Sequence, residues 1–341
     1  MLKINRRFIQ IFIGFFWILD GFLQLQSKMF TSSFARLVIL PMAQGQPSWV
    51  SNIIHIFARL VLTHPAVYDL LFASIQIIIG LLFMIPKSVK AGIILSIIWG
   101  TLVWVVGEGF GGVFSGQALL LMGAPGAALL YLIMGLSSWP KKCTAPAYWL
   151  AICWLVFWVG GGVYQLLPGQ NTIPSVDSMI KVSATDAPSW LSVTDNSIIS
   201  TLNSLGDVTG FSGVMNMAPQ QHKESLKGYI FILIFAGTQI FIGVGVLKPG
   251  LMRRLAVSLG IVLSLGFWVV GQGLGDLSSG LATDLNSGPI FVLLGIAVLS
   301  ASELDVRLNK IGSRLEVLLL GRDTNNQEIS ANNILIPSEK L

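Results

Sequence analysis

Residues 104–116 read WVVGEGFGGVFSG, and residues 268–280 read WVVGQGLGDLSSG. Eight of the thirteen positions are identical, at a spacing of 164. Each copy closes a long apolar stretch. Nine residues after its last glycine comes Pro125 or Pro289, and then a further apolar run. Working outward, WILDGFLQL at 17–25 matches WVGGGVYQL at 158–166, and QPSW at 46–49 matches APSW at 187–190, both at an offset of 141. ASIQIIIG at 73–80 matches AGTQIFIG at 236–243 at an offset of 163. The offset grows only between apolar segments, which is how a duplicated helical unit accumulates insertions in its loops.

Charged residues make up 11% of the 341 residues, against about 25% in soluble domains, and 53% are hydrophobic. Mean hydropathy is +0.75. Runs of about twenty apolar residues predict membrane helices. Eight spans are expected, at about 8–26, 66–85, 91–107, 124–139, 148–167, 229–247, 255–271 and 288–303. The predicted fold class is an all-α integral membrane protein with eight transmembrane helices arranged as two parallel four-helix repeats. The expected domains are 1–142 and 143–303, each a four-helix unit, with a cytoplasmic tail at 304–341.

Four spans per unit insert both units in one orientation. With the N-terminus inside, fifteen of the twenty-one Lys and Arg residues fall on cytoplasmic segments, as the positive-inside rule asks. Both termini are therefore expected in the cytoplasm. Met1–Arg7 and the following apolar run are read as a retained first span, because no small-residue cleavage site follows. No eukaryotic targeting feature is present, so a prokaryotic plasma membrane is the expected location. Segments 27–65 and 168–228 face outward. The first contains WVSNIIHIFARLVL, with the spacing of an amphipathic surface helix, and the second is a polar cap.

GEGFGG at 107–112 fits G-x-G-x-x-G only literally, since a dinucleotide site needs a strand before it and a helix after it. Here the glycines close a membrane helix. Gly107, Gly109 and Gly112, and Gly271, Gly273 and Gly275 in the other copy, let the backbone leave the helix and turn back. Glu108 is the sharpest residue, and its repeat partner is the neutral Gln272. It is expected either to exchange a proton or bind a cation, or to accept hydrogen bonds from the amides of the turn. Asp20 is matched by Gly161, an asymmetry that resembles one working site and one degenerate copy.

Arg36, His55 and Arg59 either complete a polar site with Asp20 and Glu108 or form a solvated face. Gln76 and Gln239 stand at matching mid-span positions, where facing amides would bond to each other or hold a quinone carbonyl. Cys143 and Cys153, ten residues apart, are too far apart for a disulfide if helical. His55, His64 and His222 have no metal-ligand spacing, and Met215, Met217 and His222, loosely spaced in the outer loop, give only a weak hint of a soft copper site. No metal site, cofactor motif or nucleic-acid partner is indicated.

Four short spans per unit, a first helix ending in a Gly-containing segment and a second carrying Gln–Ile–x–Ile–Gly resemble the DoxX/DoxD superfamily of small four-helix membrane proteins. Some members are subunits of thiosulfate:quinone oxidoreductase. The resemblance covers each unit separately. It implies an accessory component near quinone-linked chemistry at the outer face, with quinone as cofactor and a membrane oxidoreductase as partner. The rival expectation is a small-solute or ion transporter that uses the interface between repeats. The absence of a nucleophile–base pair argues against an enzyme.

Overall fold

Asn5 opens the first helix, its side-chain oxygen accepting the Phe8 N–H at 2.8 Å, which satisfies one of the free amides of a helix start. Helix α1 spans Arg6–Gln24. The computed structural model describes residues 3–184, 188–206 and 226–301, so the tail at 304–341 and Met215, Met217 and His222 lie outside the described residues. Those residues are all helix, turn and loop. After α1 come α2 (Ser48–Thr63), α3 (Pro65–Met84), α4 (Val89–Val106) and α5 (Ala127–Ser137). Then follow α6 (Leu150–Gln165), α7 (Ile173–Ala184), α8 (Ser189–Gly206), α9 (Leu226–Gly245), α10 (Leu251–Val270) and α11 (Ser287–Ser300).

Five helices, α1, α3, α4, α9 and α10, are long and apolar enough to cross a membrane. The expected spans at 124–139, 148–167 and 288–303 contain the shorter helices α5, α6 and α11, of 11, 16 and 14 residues. At 1.5 Å per residue these rise only about 16, 24 and 21 Å, less than the roughly 30 Å hydrocarbon core. The cause is local, because residues 124–126 belong to the loop feeding α5 and α6 begins only at Leu150.

The closest packing is between α1 and α3 and between α6 and α9, and glycines permit it. A Cβ on Gly80 would stand 2.5 Å from the Gly14 carbonyl oxygen, and one on Gly21 would stand 2.9 Å from that of Ala73. In the other bundle, a Cβ on Gly243 would stand 3.1 Å from the Leu155 oxygen, and one on Gly162 would stand 2.7 Å from the Ala236 oxygen. Close backbone approach is how helices adhere where the solvent is itself apolar. Helices α4 and α5 complete the first bundle, α10 and α11 the second, and α5 packs on α11 where they meet. Outward faces carry Leu70, Ile78 and Leu81 on α3, Ile98 on α4, Ile234 on α9 and Val262 on α10, all exposed.

At the end of the bundle near the N-terminus, arginines finish the helices. Arg7 donates to the Phe83 and Met84 carbonyls at the end of α3, and Arg6 donates to Ser137 and Trp139 at the end of α5. Arg253 Nε donates to the Val246 carbonyl after α9 at 2.7 Å. A cation at a helix C-terminus satisfies free carbonyls and complements the dipole.

At the opposite end, residues 27–65 do more than lie on a surface. Helix α2 buries Val50, Ile54, Ala58 and Val61 against Met29, Phe34, Ala35, Ile39 and Ala43 of the preceding turns and Phe72 of α3. The polar stretch after α6 folds into α7 and α8, which pack on each other.

The two glycine loops share one backbone path. Gly109, Phe110, Gly111 and Gly112 have φ of 52°, 59°, 62° and 74°. Gly273, Leu274, Gly275 and Asp276 have 51°, 58°, 74° and 53°. Four successive left-handed residues make a turn that L-residues resist, and Phe110 and Leu274 take the same strained place in each. Phe110 is held there by Trp49, Trp104 and Phe114. A Cβ on Gly111 would also lie 2.1 Å from the Pro125 carbonyl oxygen. Gly111→Ala is therefore expected to destabilise by at least about 1–3 kcal/mol, read as a lower unfolding midpoint in detergent. Gly160→Ala, whose Cβ would meet nothing within 4 Å, should leave the midpoint unchanged.

Candidate functional site

The last turns of α1 place Trp17, Asp20 and Gln24 on one helix face, spaced three and four residues apart. Opposite stand Phe72 and Gln76 of α3, Trp99, Leu102, Val103 and Val106 of α4, and Ala127, Ala128 and Tyr131 of α5. Phe34, Val38, Ile39 and Phe57 close one side, and Gly107 and Glu108 another. Thr283 and Asp284 enter from the loop before α11, the far half of the chain. Together they line a cavity of about 60 Å³, room enough for water or a small molecule.

Three carboxylates, Asp20, Glu108 and Asp284, share this space and act on one another electrostatically. Among the described residues no Lys, Arg or His lines it. Glu108 Oε1 accepts the Ala128 N–H at 2.9 Å and so caps α5, while Oε2 is buried without a partner. Asp284 accepts the Thr283 hydroxyl at 2.8 Å and the Asn286 N–H at 2.6 Å. Both stand in loops beyond the spanning helices. Burial first, and Asp284 second, push the Glu108 carboxyl up to about 8, against the pull of the Ala128 and Ala127 amides. Burial also raises Asp284, against the pull of its hydrogen bonds to Thr283 and Asn286.

Asp20 is 2% exposed, Gln24 3% and Gln76 4%. Asp20 Oδ1, Gln24 Oε1, Gln76 Oε1 and Trp99 Nε1 are buried without a hydrogen-bond partner, and the Tyr131 phenol lies beside Asp20. Unpaired polar atoms at such burial are costly and rare in finished cores. Their concentration in one cavity makes it the candidate site. Asp69 and Asp195 are also buried without partners among the described residues, but neither lines the cavity.

Of the residues the sequence singles out, Asp20, Gln76 and Glu108 come together here. Arg36, His55 and Arg59 do not, since all three are exposed and outside the lining. Gln76 and Gln239 do not face each other. Gln239 sits beside Gly161, with its oxygen 3.1 Å from where a Cβ on that glycine would lie. Gln272 caps α11, accepting the Gly288 N–H at 3.1 Å and donating to the Leu120 carbonyl at 3.3 Å. Around it Leu120, Trp158, Ser264, Phe267, Gly288 and Phe291 surround a second pocket with no room for water. Leu120 does the filling, with Cδ1 2.5 Å from the place of a Gly161 Cβ.

Trp104 and Trp268 are more than interfacial aromatics, because their indoles donate to the Pro125 and Leu285 carbonyls at 2.8 and 2.7 Å. The bonded partner of Trp268 is thus Leu285, not Pro289. Pro289 lies inside α11, so the loop before α11 is four residues tighter than the sequence match of the prolines implies. Cys143 and Cys153 are free thiols. Among the described residues no three His, Cys, Asp or Glu side chains converge to hold a metal ion.

Sequence reading missed Asp284, Tyr131, Gln24 and Trp99. Asp284 had a signal, standing 164 residues from an apolar Leu120 as Glu108 stands 164 from Gln272. Tyr131, inside an apolar span, had little. No family model matches the chain, and no curated protein or solved structure does.

The raised Glu108 carboxyl makes stability depend on pH in a defined direction. Below about 4.5 it is neutral in both folded and unfolded chains. As pH rises towards 8 the unfolded chain ionises and the folded one resists, so stability is lost across that window and levels off above it. Thermal unfolding in detergent at pH 5, 6.5 and 8 should show this fall, and it should be shallower in Glu108→Gln. Equal slopes would remove Glu108 as its source.

Proposed function

We propose that this chain is an eight-crossing membrane protein made of two parallel four-helix units of DoxX-like type. Both termini are cytoplasmic, and the cavity opens towards the outer face of a prokaryotic plasma membrane. In this reading it is a small-solute transporter whose working site sits in the first unit and whose buried carboxylates exchange protons with the passing solute. The observation that carries it is that Asp20, Glu108 and Asp284 line one cavity without a facing cation.

The repeat-matched positions support a division of labour. At offsets of 141 and 164 these carboxylates correspond to Gly161, Gln272 and Leu120, all uncharged. Within α5 and α11, where the capped amides of Ala128 and Gly288 set the offset at 160, the Tyr131 hydroxyl corresponds to the apolar Phe291 of the second pocket. One unit has an open, acidic cavity and the other is packed shut. Paired carboxylates at such burial are retained where protons or charged solutes move.

Flux decides the matter. In proteoliposomes, a panel of small cationic, anionic and neutral solutes is screened for transient current and for change of internal pH. At least one solute should respond, and Asp20→Asn or Glu108→Gln should reduce the response at least about tenfold. Silence across the panel, or unchanged flux in both variants, would remove the transporter reading.

Orientation has its own check, since Cys143 is exposed beside Lys141 and Lys142. A membrane-impermeant maleimide should label it in inside-out vesicles and not in intact cells. The reverse pattern would invert the topology.

A further inference from the structure

The transporter reading leaves the solute's chemistry open, and the inference here rests on that reading. The cavity has two kinds of wall. One is aromatic and aliphatic, with Trp17, Phe34, Phe57, Phe72 and Trp99 around it. The other is acidic, with Asp20, Glu108 and Asp284. An anion would meet three carboxylates and no cation. A bare metal ion would have to shed its water against rings, and among the described residues no three His, Cys, Asp or Glu side chains are placed to hold one. A cation with an apolar body meets both walls favourably, through the carboxylates and through the faces of the rings.

The orphaned atoms refine the class. Asp20 Oδ1, Gln24 Oε1 and Gln76 Oε1, each on a side chain at least nine-tenths buried, are acceptors without a partner, and Glu108 Oε2 is a fourth; they outnumber the two unpartnered donors of the lining, Trp99 Nε1 and the Tyr131 hydroxyl. A primary ammonium group carries three N–H donors and no acceptor. A quaternary ammonium carries none and would leave all four oxygens unpaired. The small size of the cavity limits the body to a short chain. We infer that the cavity in the first unit binds a small primary alkylammonium ion. Its head lies among Asp20, Gln24 and Gln76, and its hydrocarbon lies against Trp17, Trp99 and Phe72.

Trp17 and Trp99 supply the readout. The full-length protein in nanodiscs is titrated with butylammonium chloride while intrinsic fluorescence and the unfolding midpoint are followed. Parallel titrations use 1-butanol, which keeps the body and removes the charge, tetramethylammonium chloride, which keeps the charge and removes the donors, and potassium chloride. Butylammonium alone should give a saturable change and raise the midpoint. Its apparent affinity should fall at least tenfold in Asp20→Asn and in Gln76→Leu, two variants in different helices that each report by their own midpoint whether they fold. Affinity should rise with pH towards 8, as bound protons leave Glu108 to make room for the cation.

No response to butylammonium would overturn the inference, as would an equal response to 1-butanol, tetramethylammonium or potassium, or undiminished binding in both folded variants. The two readings fail separately. If a solute of another class drives carboxylate-dependent flux while butylammonium does not bind, the inference is wrong and the transporter stands. If butylammonium binds and nothing in the panel moves, the site is a receptor for the ammonium and transport is wrong.

Discussion

A helix that starts inside a low-dielectric body exposes amides that no water can satisfy, and the ends of α5 and α11 are organised around that constraint. In each case the chain leaves the preceding long helix through a turn of four left-handed residues. The turn brings the side chain at 108 or 272 back onto the first amides of the next helix. An indole from the preceding helix, Trp104 or Trp268, fastens the far side of the loop. Glycine is needed because the path requires positive φ and because Gly111 and Gly275 lie against the backbone of the returning strand of loop. Without that turn α5 and α11 would start with open amides, and no side chain from the far half would reach the cavity.

The rest of the bundle answers the same demand more simply. Backbones approach closely at Gly14, Gly21 and Gly80, and again at Gly162 and Gly243. Dispersion between tightly apposed helices holds the pairs together where the solvent supplies no hydrophobic drive. At the opposite end, Arg6, Arg7 and Arg253 are bonded to the last carbonyls of helices. The basic residues that orient a membrane protein thus also complete its helices.

Much of this was legible in residues. The apolar runs located the long helices. The pairing of WVVGEGFGG with WVVGQGLGD located both turns, and the periodicity of WVSNIIHIFARLVL gave the buried face of α2. Asp20, Gln76 and Glu108 were recognisable because polar groups in apolar runs stand out. What stayed hidden depended on distance in three dimensions. Asp284 reaches its place only because the loop before α11 crosses to the first bundle, and no periodicity encodes that. Arg36, His55 and Arg59 looked like partners for the carboxylates because charge suggests pairing, but α2 turns Phe57 and not His55 or Arg59 to the cavity. The lengths of α5 and α11 were hidden too, since hydropathy cannot tell an apolar loop from the first turn of an apolar helix.

The comparison of Glu108 with Gln272 separates structure from function. Both cap the helix that follows, and the amide does so while also donating to the Leu120 carbonyl. Capping therefore needs an acceptor and not a charge. A glutamate in the same place is the costlier residue, since burial penalises its ionised form and Asp284 penalises it further. The carboxylate stands only where an open cavity, Asp20, Asp284 and a row of unpaired acceptors stand with it, while its neutral partner stands beside a leucine plug. Capping alone therefore does not account for the charge at 108, which stands among the other carboxylates and unpaired acceptors of the cavity.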